Sequence, residues 1–407
     1  MADAAPWCGA CEWNLDDFAP AENVGWVWRR IDRWDSRAGF RVDRRIVEAY
    51  LRDPEAPVPQ AGFRLLVLIS AVLMLLLFAA VAAGVRLIVH GGGLPLVLLG
   101  ALLLGAAWLL RPRLGRLKQL VRESHVVSAA QAPALHGLVE RIARESGTPV
   151  PDVLALDYSW NAFAGVVGIR RTKVLVLGVP LLLALGPQQL VALIGHELGH
   201  LHHEDSSRRL LTQPARTAFG TLSALLRPPP RNAVDPELSG LYAFFLLLWQ
   251  TAGGLVSLLL FAVHLGVHIL DSRDSRRAEL RADAMSVRAA GSEAALELVN
   301  LLPLVPDLRG YVQPHVPEGR RAGDHWRRML TLARDRGLDS AELHLQLSIR
   351  SRASLLASHP APGRRRQWMA GLPQAPAAVA VSTEAAAEIE AELIPYAAAM
   401  HRWMLDD

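Results

Sequence analysis

Residues 65–89 and 94–110 are two almost wholly apolar runs joined by His90-Gly91-Gly92-Gly93, and they narrow the possible folds more than any other stretch of the 407-residue chain. A helix rises 1.5 Å per residue, so about twenty apolar residues cross the roughly 30 Å hydrocarbon core of a bilayer. The first run carries Arg86 near its far end, where a long side chain can reach the headgroups. A single run of this kind also suits the core of a soluble protein, but two in tandem favour a transmembrane hairpin. Arg29, Arg30, Arg33, Arg41, Arg44 and Arg45 precede the pair, and Arg111, Arg113, Arg116, Lys118 and Arg122 follow it. Basic residues collect on the cytoplasmic side, which predicts both flanks in the cytoplasm and the glycine turn outside. Residues 241–270 are again apolar and long enough to span. Residues 210–226 are only moderately apolar, interrupted by Gln213, Pro214 and Arg216.

Apolar residues make up 51% of the chain, and the formal charge is +4. That excess comes from arginine, since Lys118 and Lys173 are the only lysines. Spread along the chain and flanking apolar runs, it reads as membrane topology and predicts no nucleic-acid partner. Two cysteines exclude a disulfide-rich secreted scaffold. The polar, acidic start predicts no signal peptide. Cys8 and Cys11 stand as Cys-x-x-Cys but lack the preceding strand of a redox site. They suit half of a zinc ribbon, a possible second metal site, or no chemistry at all. Residues 26–50 set Trp28, Ile31, Trp34, Ile46 and Val47 among arginines, which suits an amphipathic segment on the membrane surface or a solvated helix.

Between the apolar runs lies the chemistry. His196-Glu197-Leu198-Gly199-His200 is an HExxH in a segment that opens with Gly186-Pro187 and carries Leu190, Leu193, Ile194 and Leu198 at helical spacing. Residues four apart share a helix face, so His196 and His200 can close on one Zn²⁺. Glu197, beside the first ligand, can act as general base on water. His202 and His203 point off that face and read as a solvated helix end. Upstream, residues 132–146 read as an amphipathic helix stopped by Gly147. Residues 153–156, 162–167 and 172–177 read as strands, the last two a hairpin. Just after the third long apolar run, Glu279 can complete a His₂Glu set. Asp283, one turn on, can orient a ligand imidazole. The same spacing also suits an exposed helix with ordinary Glu/Arg pairs.

Four motifs in order bear on that choice: Asn161-Ala162-Phe163-Ala164, the HExxH, Glu279 with Ala282-Asp283, and Ser358-His359-Pro360 followed by Arg365. With them the chain resembles the membrane-anchored gluzincin family of HtpX-type heat-shock proteases and CaaX prenyl proteases, over roughly residues 115–370. The resemblance implies that His196, His200 and Glu279 bind one catalytic zinc ion and that Glu197 is the base. It implies further that His359 and Arg365 assist near the oxyanion and that Asn161 helps hold substrate. The alternatives are an intramembrane site-2-type protease, suggested by Asn300-Leu301-Leu302-Pro303 with Asp307, and a catalytically silent zinc-bound scaffold.

The expected fold is an α+β zincin-like catalytic domain, mostly helical with a small sheet, joined to transmembrane helices. Its order is a soluble segment (1–62), a hairpin (63–110), a first catalytic half (111–209), a membrane-associated insertion (210–270), a second catalytic half (271–372) and a C-terminal helix (373–407). The two halves share one metal, so the insertion must cross the membrane an even number of times. The favoured solution makes 210–226 a poor second span with Arg216 shielded by other helices. The alternatives are a bend-back at Gly253-Gly254 and a 241–270 helix that does not cross. The expected protein is a multi-pass cell-membrane zinc endopeptidase that acts on protein or peptide substrate in the cytoplasm, in membrane-protein quality control.

Overall fold

The computed structural model describes residues 25–54, 59–112, 120–122, 124–168, 170–203, 205–229, 240–305, 310 and 322–406. Cys8, Cys11 and Asp307 therefore lie outside the described residues. The chain divides into two compact units. One comprises residues 1–57, 114–206 and 275–407, and the other residues 58–113 and 207–274.

The second unit is helical. It holds α2 (Ala61–His90), α3 (Leu94–Leu110) and α7 (Asp205–Leu226, of which residues from 207 on belong here). It also holds α8 (Gly240–Leu248) and the first part of α9 (Gly254–Ala290). Leu66 and Val267 form a small buried cluster, but many of the unit's large apolar side chains point outward: Leu75 is 68% exposed, Phe78 64% and Leu102 68%. Small and hydroxyl side chains face inward instead. Gly84 and Gly100 bring α2 and α3 so close that a Cβ on either would lie within 3 Å of the other's carbonyl oxygen. The Ser70 hydroxyl accepts a hydrogen bond from Ala215 N–H on α7. Ser223 and Ser257 exchange hydroxyl–carbonyl bonds at 2.9 and 2.8 Å. Small residues let helix backbones approach where no water drives packing.

Among the described residues, two helices are long and apolar enough to span a bilayer, Ala61–His90 and the 47-residue run Phe244–Ala290, with Leu94–Leu110 shorter. The run through Gly253-Gly254 does not reverse. A π-helical turn at Trp249–Gly253 carries it straight into α9, which removes the bend-back. α7 is continuous through Pro214 and runs antiparallel to α9. Arg216 is ion-paired there with Asp271 at 3.0 Å.

The first unit has the opposite grain. Its sheet has the order β1-β2-β4-β3. The two inner strands, β2 (Val153–Asp157) and β4 (Thr172–Gly178), are parallel and run almost uniformly apolar, as strands covered on both faces do. β1 (His125–Val127) pairs antiparallel with β2, and β3 (Ala162–Val167) pairs antiparallel with β4 and leaves its other edge unpaired within the sheet. β1 and α5 (Val179–Ala184) are too short to carry a periodic signal. α4 (Pro133–Ser146) ends at Gly147, whose φ of 68° suits a residue without Cβ. α6 (Pro187–His202) and α10 (Ser292–Leu301) follow in the core. Then come α11 (Ala322–Leu338), α12 (Ala341–Ser351), α13 (Pro362–Ala370) and α14 (Thr383–Asp406).

α1 (Trp26–Arg52) corrects the expectation for residues 26–50. It is neither laid on a membrane by its apolar side nor simply solvated. Ile46, Val47 and Tyr50 are buried in the core of the first unit, and Tyr50 packs edge-on against Trp368 at 5.7 Å. Sequence favoured the other reading because the exposed side carries Trp26, Trp34 and most of the arginines.

Candidate metal centre

The site is built on α6. Gly186 caps it in an extended conformation, Pro187 fills the first helical position, and Gln189 Oε1 accepts the Gly186 N–H at 2.9 Å. Helical spacing then sets His196 and His200 one turn apart, ring centroids 5.0 Å from each other. Gly195 and Gly199 occupy a neighbouring face. A Cβ on Gly195 would stand 2.7 Å from the Ala289 side chain, and one on Gly199 3.0 Å from the Ala282 backbone. These glycines cost helix propensity, roughly 1 kcal/mol each, but they let α9 lie directly on α6. Ser286 Oγ then donates to Ala192 O at 2.8 Å, and Glu279 is delivered over the histidines. Sequence reasoning passed over this pair, although two glycines four apart inside a zinc helix were visible.

Glu279 Oε2 lies 3.5 Å from His196 Nε2, and Oε1 lies 3.4 Å from His200 Nε2. Among the described residues these three form the one His/Cys/Asp/Glu group whose ligand atoms converge, all within 4.8 Å. Glu279 is 1% exposed, and its two carboxylate oxygens face the Nε2 atoms of His196 and His200. Two imidazoles and a carboxylate suit Zn²⁺ and leave a fourth position for reactants. Burial alone would raise the Glu279 carboxyl, but hydrogen bonds from His196, His200 and His359 hold it well below the usual range.

Around this set the partners are specific. Asp283 Oδ1 lies 3.1 Å from His196 Nδ1, which turns Nε2 of that ring toward the site. Arg365 grips Asp283 with a fork, Nε to Oδ2 at 2.9 Å and Nη2 to Oδ1 at 2.5 Å. Burial would raise the Asp283 carboxyl, yet the Arg365 charge keeps it low. Arg365 is thus bound behind His196 rather than free over the reactant position. His359 is different. It is 60% exposed on its side chain, and its Nδ1 reaches Glu279 Oε1 at 2.9 Å. Glu197 is buried, which raises its pKa, and its Oε2 accepts the Ala164 N–H of β3 at 2.9 Å. Asn161 is exposed at the start of β3, its carbonyl accepting the Gly178 N–H. His202 turns away to Gly147 O at 3.1 Å.

The model of peptidase family M48 matches residues 129–371. Among curated proteins, a Protease HtpX homolog of Methanothermobacter thermautotrophicus is 34% identical over 119 residues, covering 28% of this chain and 43% of that protein. A Protease HtpX homolog of Pyrococcus abyssi is 30% identical over 176 residues, 42% of this chain and 57% of that protein. A third, of Gemmatimonas aurantiaca, is 34% identical over 138 residues, 33% of this chain and 47% of that protein. The chain thus spans about half the length of these relatives. No solved structure matches it.

Proposed function

The chain belongs to peptidase family M48, and from that premise we propose that it is a membrane-integral zinc endopeptidase with its catalytic unit in the cytoplasm. The observation that carries the reading is the convergence of His196, His200 and Glu279 beside a buried, unliganded Glu197. These three side chains would hold the zinc. A zinc ion held there would supply Lewis acidity, polarising a carbonyl and acidifying water. Glu197 takes the proton of the attacking water and returns it to the leaving amine. Burial raises its pKa and so makes it a stronger base than a solvated carboxylate. Asp283, itself pinned by Arg365, keeps the His196 ring turned. His359, exposed at the rim, donates to charge that grows on the carbonyl oxygen.

The free edge of β3 offers main-chain groups to an extended peptide. The bond from Ala164 N–H to Glu197 Oε2 supports a peptide on this strand lying beside that carboxylate. Asn161, at the same strand's start, holds the substrate further along. Unfolded membrane or cytoplasmic protein is the substrate class, by the resemblance to HtpX-type proteases. α7 pairs with α9 as the return crossing, so both halves of the site meet on one side of the membrane.

The test is full-length protein in lipid nanodiscs, with zinc measured alongside casein cleavage. Glu197→Gln should keep one zinc per chain and lose about 10²–10⁴ in kcat, and chelation should abolish wild-type cleavage. Cleavage by Glu197→Gln at the wild-type rate would remove Glu197 as base, and a wild type without zinc would end the reading.

A further inference from the structure

α1 lies wholly before residues 129–371, the part of the chain that the family model matches, yet its buried side is joined to the loop that feeds the metal centre. The loop runs from Arg352, the C-cap of α12, to Ala361, the N-cap of α13, and carries His359. At one end Asp35 Oδ1 accepts the Leu355 N–H at 3.0 Å. At the other, Asp43 Oδ2 accepts the Ala361 N–H at 3.4 Å. Between them Gly39 rests on Ser354, where a Cβ would meet the Ser354 backbone at 2.4 Å. No side chain fits there.

The second tie comes from α9. Arg276, fully buried, pairs through Nε with Asp43 Oδ1 at 2.7 Å and donates through Nη2 to Ser354 O. It stands one helical turn before Glu279 on the same helix. Asp43 therefore holds the loop directly and also holds the arginine that grips it from the other side. Beyond the loop, the Arg364 guanidinium lies 4.8 Å above the Phe40 ring. A buried ion pair gains little net stability, since desolvation offsets attraction, but it fixes geometry because either partner alone is costly.

We propose that α1 is a positioning element of the active site, with Asp35, Asp43 and Arg276 holding the 352–361 loop so that His359 meets the metal centre. The inference rests on the peptidase reading for its catalytic consequence, though not for its structural one. His359 is mostly exposed and meets Glu279 through its Nδ1, so its place depends on the backbone beneath it. Misplacing a reacting group by about 1 Å can cost about a hundredfold in rate. The clamp thus acts on kcat, while the ligands on α6 and α9 keep the zinc.

Two variants of the full-length chain test this in nanodiscs. Asp35→Ala removes one anchor without stranding a buried charge. The double variant Asp43→Ala with Arg276→Met removes the ion pair whole, so that neither charge is left alone. Arg37→Gln on the exposed side of α1 serves as control. Hydrogen exchange of the peptide covering 353–361 should quicken in both test variants and not in the control, with the β2 and β4 amides unchanged. In the same samples kcat should fall between about tenfold and a hundredfold at near-normal KM and full zinc.

Unchanged exchange, or faster exchange with wild-type kcat, overturns the proposal. So does a kcat loss matched by lost zinc or by unfolding at the assay temperature, which marks α1 as scaffold alone. A wild type without peptidase activity would refute the proposed function, while faster exchange at 353–361 in the variants would still support the clamp.

Discussion

The two units of this chain solve opposite problems with similar side chains. In the first unit Leu, Val and Ile are inside, and buried charges are tied into networks such as Glu279–His196–Asp283–Arg365. In the second, many Leu and Phe side chains are outside, and serines, glycines and the Arg216–Asp271 pair are inside beside a small Leu66–Val267 cluster. Exposing Leu75, Phe78 and Leu102 to water is disfavoured by about 25 cal/mol per Å² of apolar area. Such a surface suits a solvent made of hydrocarbon. Polar side chains inside the second unit therefore hold helices together, where in the first they place reacting groups.

Breaking one polar contact in the second unit gives the largest effect that this contrast predicts. Asp271→Leu leaves Arg216 partly buried and without the Asp271 carboxylate. Losing one member of a fully buried pair costs about 3–5 kcal/mol, and this pair, 29% and 14% exposed, less than that, whereas replacing both by apolar residues is nearly neutral. In nanodiscs the apparent thermal midpoint should fall in Asp271→Leu and recover in Asp271→Leu with Arg216→Leu. Equal losses in the single and double variants would mean that the pair binds something more than itself.

The ion pair of the first unit should behave differently, because its environment is tuned by protein rather than lipid. Burial pushes the Asp43 carboxyl up to about 6 from 3.8, against the pull of Arg276, the Ala361 N–H and Arg364. The folded protein therefore holds this proton more tightly than the unfolded chain. Between about pH 4 and 6 it binds more protons than the unfolded state does, so stability falls as pH rises through that window. Two units correspond to about 3 kcal/mol at most. Comparing wild type with Asp43→Asn in the presence of chelator, the wild type should lose thermal stability between pH 4 and 7 relative to the variant. Parallel profiles would show that Asp43 keeps an ordinary carboxyl in the fold.

How much could be read beforehand follows the same divide. The HExxH helix, the β3–β4 hairpin and the apolar runs are local patterns with periods of 3.6, 2 or none, and the structure has them close to where those periods put them. Glu279 was legible as a ligand only together with the other motifs, since nothing local separates it from a surface glutamate. Asp43 and Ala361, 318 residues apart, left no trace. The outward arginines of α1 drowned the signal of Ile46, Val47 and Tyr50. Gly195 and Gly199 were visible, but their meaning needs α9 beside them.

The smallest expected effect lies where a polar group of the first unit joins elements distant in sequence without touching the site. Glu392 on α14 accepts the N–H groups of Ala134 and Leu135 at 2.8 and 3.0 Å. Those amides open α4, where the first turn has no partners of its own and the helix dipole favours negative charge. The Ala132 N-cap offers no side-chain acceptor, so a carboxylate from the far end of the chain does that work. Losing a cap of this kind costs about 0.5–2 kcal/mol. Glu392→Gln keeps one acceptor oxygen but loses the charge, so it belongs near the low end, and Glu392→Ala near the high end. Both should lower the thermal midpoint while leaving zinc content and kcat at wild-type values, because α4 supplies no side chain to the metal centre. A kcat change in Glu392→Gln at full stability would show that α14 reaches the site as α1 does, and would extend the role of positioning to both ends of the chain.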